Sequence, residues 1–296
     1  MKFSEIKHKI KNLGNYKSLK EIKKAGLRIV RNTKTGDYWL IEEEFLKPVI
    51  KSLKEVPRIQ VDINCLELKV VLTNKDRKNL KNTKLFDYIM WGEKVGFDKN
   101  PTCKSRKSKS REWFNLEEFS GEMLFNMSSG DRYLIPFNKK LIPIDARLYG
   151  IKLKSIFSEE EQLALVMLFN VSYLPMIYEI FGRVMTGSLP LLDLKVYELS
   201  DFVLILDLRK VKKDMIVKLK DLFRNMANRE IYDIFTELGF DPNKPIREQE
   251  PRPLPDRKAL DDIVFDALGL TEEERKEVYW AVGELVQNRL KKAKSV

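Results

Sequence analysis

The sequence predicts an α+β fold: a basic body of mixed helices and strands, followed by a mainly helical C-terminal region. Three observations predict it. Short β-branched and aromatic runs separated by turn residues recur from residue 27 to residue 153, the pattern of brief strands. From residue 211 onward the apolar positions keep helical spacing. Charge divides the chain in the same sense. Residues 1–35 carry 11 basic and 2 acidic side chains, residues 36–46 four acids alone, residues 47–113 17 basic and 8 acidic, and the remaining 183 residues 27 and 30. The first 113 residues thus hold +14 of a net +11, and the rest holds −3. Dense mixed surface charge would not segregate in this way, so the asymmetry points to a polyanion met by one part of the molecule.

The elements follow in order. Residues 1–26 read as short basic helices, with Ser18 capping a helix over 19–25 that Gly26 stops. Residues 27–30 and 38–41 flank a turn-rich segment and form a hairpin. A short helix over 42–53 is expected, interrupted or restarted at Pro48, then β-rich runs at 58–61 and 66–72. A helix over 83–95 ends at Gly96, and residues 97–111 form a polar, basic loop. Strands are expected at 123–127, 132–137, 141–144 and 147–153, with a turn at 128–131. Ser158 and the three acids after it start a helix that runs to about residue 169. Ser172 caps the next, with Pro175 in its first turn, and 202–208 reads as a buried strand. The final helices are 214–226, 230–238, 256–268 and 272–290, the last opened by a Thr271–Glu274 capping box. No internal repeat is visible. The expected domains are a basic helical and hairpin segment (1–56), an α+β domain (57–210) and a helical region (211–296).

Many chemistries are excluded. Hydrophobic residues make up 43% and charged residues 33%, enough for a core and against wholesale disorder. No apolar run approaches the roughly 18 residues of a membrane helix. The first residues lack the apolar core of a signal peptide. The expectation is a soluble, cytoplasmic protein. With one histidine, His8, and two cysteines, Cys65 and Cys103, neither a triad, a histidine-based metal site nor a disulfide framework can be built. The glycines contain no Gly-x-Gly, so there is no dinucleotide fingerprint and no P-loop. Asp256 with Glu274 loosely matches metal-nuclease spacing, but both lie at helix starts; Asp256 reads as an N-cap and Glu274 as the partner of Thr271. No catalytic, cofactor or metal residue is assigned.

The strongest candidate site is the segment 99–111, which holds six basic residues and no acid, flanked by Trp91, Phe97, Trp113 and Phe114. Lys99, Lys104, Lys107 and Lys109 are point charges suited to phosphates. Arg106 and Arg111 carry the planar fork that pairs with guanine edges. The competing reading is a solvated loop that binds nothing.

A family resemblance joins these features. Residues 45–52 (FLKPVIKS), 88–93 (YIMWGE) and 101–106 (PTCKSR) resemble parts of the target-recognition region of adenine-specific DNA methyltransferases, in the TaqI-like class of restriction–modification enzymes. Residues 168–172 (LFNVS) are similar to that family's Leu-Asn-Ser junction, 181–183 (FGR) to its Tyr-Gly-Arg and 192–196 (LDLKV) to its Leu-Asp-Leu-Lys-Val. Residues 256–270 resemble its helical tail. The resemblance implies a domain that grips double-stranded DNA, reads a short sequence and presents an adenine to a methyltransferase domain or subunit. It implies S-adenosylmethionine for that catalytic part only. The family's Gly-rich methyl-donor loop and Asn-Pro-Pro-Tyr motif are absent from this sequence, and the glycine run before Leu-Asp-Leu-Lys is altered to Thr186-Gly187-Ser188-Leu189-Pro190. The chain is therefore expected not to be catalytic alone. The alternatives are a free-standing nucleic-acid-binding protein derived from such a domain, and a metal-dependent nuclease.

Overall fold

Two short helices, α1 (Phe3–Ile6) and α2 (Leu19–Lys24), and the hairpin of β1 (Leu27–Arg31) and β2 (Tyr38–Glu42) begin the chain. They come from a computed structural model that describes residues 3–108, 111–185, 191–202 and 205–294. The Ser18 hydroxyl accepts the Glu21 amide and caps α2 as expected. Strand alternation gives the hairpin two apolar faces. Leu27 and Leu40 pack with Ile10 and Ile22, while Trp39 and Ile41 pack with Phe45, Leu46, Leu85 and Ile89.

The chain then divides into two compact units. Unit 1 comprises residues 1–49 and 67–118, and unit 2 comprises 50–66 and 119–296. The expected boundaries at 56/57 and 210/211 both fall inside unit 2. This partition sharpens the charge asymmetry: unit 1 carries 25 lysines and arginines against 14 acids, and unit 2 carries 30 against 30. The whole net charge of +11 resides on unit 1.

Unit 1 continues with β3 (Leu46–Pro48), paired antiparallel with β4 (Lys69–Val71), then α3 (Arg77–Leu80), α4 (Lys84–Lys94) and α5 (Pro101–Ser108). The expected helix at 42–53 does not form. Glu42 ends β2, residues 43–45 make one 3₁₀ turn, and Pro48 occupies an outer strand where its missing N–H costs little. The expected loop at 97–111 is instead a 3₁₀ turn, Phe97–Lys99, followed by α5, with Pro101 in the first helical position.

Unit 2 contains β5 (Met123–Asn126), β6 (Ser128–Ser129), β7 (Leu148–Ile151), β8 (Arg183–Val184) and β9 (Leu192–Asp193). β5 pairs with β7, and the short strands run in the order β6-β9-β8, all antiparallel. The expected strands at 58–61, 132–137 and 141–144 are only isolated bridges, Gln60–Phe137 and Ile50–Ile144. Pro136 and Pro143 remove ladder donors, and Leu141 has a φ of 48°, which breaks any extended run. The buried Asn138 side chain closes the turn between them by bonding the Gly121 and Ile142 carbonyls and the Ile142 amide.

The segment 50–66 is stitched into unit 2 by one side chain. The Arg132 guanidinium donates to the carbonyls of Leu53, Val56, Pro57 and Ile231 at 2.7–3.0 Å. Seven helices complete the unit: α6 (Glu159–Leu168), α7 (Tyr173–Phe181), α8 (Val196–Phe202), α9 (Lys213–Met226), α10 (Ile234–Leu238), α11 (Pro255–Leu268) and α12 (Glu272–Lys294). Two capping boxes open α6 and α12, through Ser158–Glu161 and Thr271–Glu274. The expected strand at 202–208 is replaced at its described ends by α8 and a 3₁₀ turn, Leu208–Lys210; residues 203 and 204 lie outside the described residues. Phe125, Met167, Leu174, Phe223, Phe265 and Val282 share one core, so the C-terminal helices are part of unit 2. Among the described residues no single helix is long and apolar enough to cross a membrane; α6 and α7 pass that test only as a pair bent by 60°.

Candidate nucleic-acid interface

The sequence-predicted cations lie on and beside α5. Lys99 ends the 3₁₀ turn and is exposed, as is Lys104. Cys103 and Arg106, three positions apart, share the half-buried face of the helix. Arg106 Nη1 donates to the Trp113 carbonyl at 3.1 Å, which ties the guanidinium to the chain beyond the helix. Arg111 is exposed and paired with Glu117. The Lys107 side chain and Lys109 lie outside the described residues. Trp113 is itself anchored: its indole N–H donates to Glu93 Oε1 at 2.9 Å, and its ring lies against Gly92 of α4, where an added Cβ would come within 3.0 Å of it. Glu93 also pairs with Arg77, whose pKa is raised by that hydrogen bond. The aromatic flank thus holds the end of the basic segment in a fixed geometry.

Beneath it, Trp39, Tyr88, Trp91 and Phe97 form a ladder with ring centroids 4.9–5.4 Å apart. Trp39 and Tyr88 from this ladder reach a groove of about 1010 Å³ lined by β1, β4 and Leu116. Arg28, Arg31 and Lys69 stand along it with Glu67. Sequence reasoning missed these three cations because each is isolated in sequence. The signal was the hairpin itself, which aligns Arg28 and Arg31 along one strand.

In unit 2 the family-like motifs converge on structure. Ser172 is the first residue of its helix junction, but its side chain does not cap α7; amide and hydroxyl both donate to the buried Asp261, at 2.9 and 2.7 Å. Burial pushes Asp261 up to about 6, against the opposing pull of Arg257 and the Ser172 hydrogen bonds. Asn170 bonds the Ile135 amide and carbonyl, and its own carbonyl accepts from Arg257. Gly182 is required by packing, since a Cβ there would lie 2.6 Å from the Tyr178 carbonyl and 2.7 Å from Leu192. Arg183 pairs with the nearly buried Glu198 at 3.1 Å, and Asp193 accepts from Lys195 and Ser128. Residues 186–190, the altered glycine run, lie outside the described residues.

Asp256 is not the N-cap of α11. Leu254 holds that position, and Asp256 instead grips Arg229 with both oxygens, at 2.7 and 2.8 Å. Arg229 and the buried Arg257 in turn bind Glu237. Burial pushes Glu237 and Asp256 up, but the guanidiniums hold both below their ordinary values. These carboxylates neutralise arginines, and Glu274 caps α12. No group of three or more metal-ligating side chains occurs among the described residues.

No protein-family profile matches the chain, and no curated protein matches it in sequence. In fold it has the architecture of part of a restriction endonuclease. The solved structure it is similar to is the type IIG restriction endonuclease BpuSI, with a TM-score of 0.51 and 10% identity over 84% of this chain. The match spans 26% of that enzyme, about a quarter of its length.

Proposed function

We propose that this chain is the DNA-recognition part of an adenine-specific methyltransferase in a restriction–modification system, working in the cytoplasm and inactive in methylation by itself. The fold likeness to part of a restriction endonuclease carries the reading. The confinement of the entire +11 to unit 1 supports it, because a duplex is gripped through counterion release by clustered lysines and arginines. In this reading Lys99, Lys104, Lys107 and Lys109 contact phosphates, and Arg106 and Arg111 face bases. The surface pair of Arg111 with Glu117 is no obstacle, since exposed pairs are worth about 0–1 kcal/mol. The partner is a methyltransferase catalytic domain or subunit, which holds S-adenosylmethionine.

Selection of bound sequences from a random duplex library, at about 100 mM salt, is the test. Enrichment of one short sequence is expected. Recovery of unbiased duplexes, or of none, sinks the proposal. Calorimetric titration of the chain with S-adenosylmethionine should give no binding heat; micromolar binding would show a methyl-donor site in this chain.

A further inference from the structure

The groove in unit 1 has no role in the recognition just proposed, and its lining is unlike the surface beside α5. Its floor is apolar and aromatic: Val30, Trp39, Ile41, Leu46, Val71 and Tyr88. Trp39 is only 4% exposed, yet its indole N–H has no hydrogen-bond partner. A buried donor left unpaired costs about 1–3 kcal/mol, so the position calls for an acceptor.

Two strand edges border the same groove. The bonds Asn32 N–H to Asp37 C=O and Glu43 N–H to Gly26 C=O fix the alternation of the hairpin. Ile29 and Arg31 therefore turn their backbone N–H and C=O away from β2. By the same logic the bonds from Leu72 to Phe45 and from Val49 to Leu68 turn the Lys69 and Val71 backbone groups away from β3. No third strand pairs with either edge among the described residues. At the rim, Arg31 and Lys69 are exposed and belong to no ion pair among the described residues, while Arg28 pairs with Glu43.

We propose that this groove seats unpaired nucleotides of single-stranded DNA. Phosphates meet Arg31 and Lys69, bases bury their faces against the aromatic floor, and the Trp39 indole N–H with the free strand amides donates to base or phosphate oxygens. Paired bases have their faces covered by stacking, so only an unpaired strand can use such a floor. The volume, about 1010 Å³, is at the upper end of pockets that enclose a whole small ligand, roughly 300–1,000 Å³. A polyanion is favoured over an acidic peptide because unit 1 carries the full net charge of the chain. The inference rests on the reading that unit 1 meets DNA, but it concerns a different ligand form.

Fluorescence anisotropy of the full chain with a labelled 12-nucleotide oligothymidylate tests it. Arg31→Glu and Lys69→Glu should each weaken binding on the order of tenfold. Trp39→Phe keeps the ring packing but removes the N–H, and should weaken binding roughly fivefold with an unchanged melting temperature. Lys20→Glu, on α2 and outside the groove, makes the same charge change and should lose less than about twofold. Equal losses for Lys20→Glu and Lys69→Glu overturn the proposal, as do groove variants that all bind like the wild type. Binding of a glutamate-rich peptide in preference to the oligonucleotide overturns it as well. Absence of single-strand binding while duplex selection succeeds overturns the groove assignment alone; failure of duplex selection strikes the proposed function.

Discussion

Arg289 and Glu179 form a buried ion pair that fastens α12 to α7. The guanidinium donates through Nε and Nη2 at 2.8–3.0 Å, and the side chains are 2% and 3% exposed. Arg289 Nη2 also reaches the Gly130 carbonyl at 2.7 Å and the Tyr133 hydroxyl at 3.1 Å. Removing one partner leaves an uncompensated buried charge. Arg289→Ala should therefore cost about 3–5 kcal/mol in urea unfolding. The double variant Arg289→Met with Glu179→Leu should recover most of that loss, because a packed apolar pair avoids desolvating both ions. Equal destabilisation of single and double variants would show that the pair matters for shape and not for charge.

A pH dependence follows from Asp261. Its folded pKa, raised to about 6 by burial, lies above the ordinary 3.8, so the folded chain binds this proton more tightly than the unfolded chain. The contribution to stability is complete below the unfolded value and is lost as pH rises through about 6. Unfolding free energy should fall between about pH 5 and 7.5, by at most roughly 3 kcal/mol from this group. Asp261→Asn, which can still accept from Ser172, should flatten that slope. A variant with the wild-type slope would assign the pH dependence to other groups.

Gly182 gives a steric prediction. A methyl group there would collide with the Tyr178 carbonyl and with Leu192, neither of which is the free end of a long side chain. Gly182→Ala should destabilise unit 2 by about 1–3 kcal/mol. Thermal unfolding beside Gly130→Ala, where a Cβ meets nothing within 4 Å, makes the comparison.

For the basic segment, gripping and reading can be separated. Lys104→Ala should weaken binding to all duplexes alike and reduce the log–log salt slope by about one. Arg106→Ala should cost about 1–3 kcal/mol on the selected sequence and much less on a scrambled duplex. The Arg106 bond to the Trp113 carbonyl fixes the guanidinium, which base reading requires. Equal losses on both duplexes would assign Arg106 to gripping.

Elements whose sequence carries its own hydrogen-bond partner were legible before any coordinates. The Ser158–Glu161 and Thr271–Glu274 boxes and the Ser18 cap fall where their residues predict. Misread elements are those whose partners lie far away in sequence. Glu42 reads as a helix residue, but its carboxylate accepts the Leu85 amide at 3.0 Å and serves the start of α4, which lies 42 residues onward. Ser172 reads as a cap and is taken by Asp261, 89 residues away. Asp256 likewise forsakes its own helix for Arg229. The cations at 99–111 were visible as composition; the groove cations were not, because strand pairing brings them together.

Because unit 1 is interrupted by residues 50–66, the order of synthesis and the order of folding diverge. All of unit 1 has been made once residue 118 is added, whereas Ile50, Leu53, Val56 and Ile59, each no more than 2% exposed in the finished protein, belong to unit 2. Arg132, which binds the carbonyls of this segment, follows 14 residues after that point, and Ile231, its fourth acceptor, a further 99. At about 5–20 residues per second, the 178 residues of unit 2 still to be made take roughly 9–36 s. Throughout that interval an apolar strap protrudes from an otherwise complete nascent unit, a natural place for a chaperone to hold the growing chain.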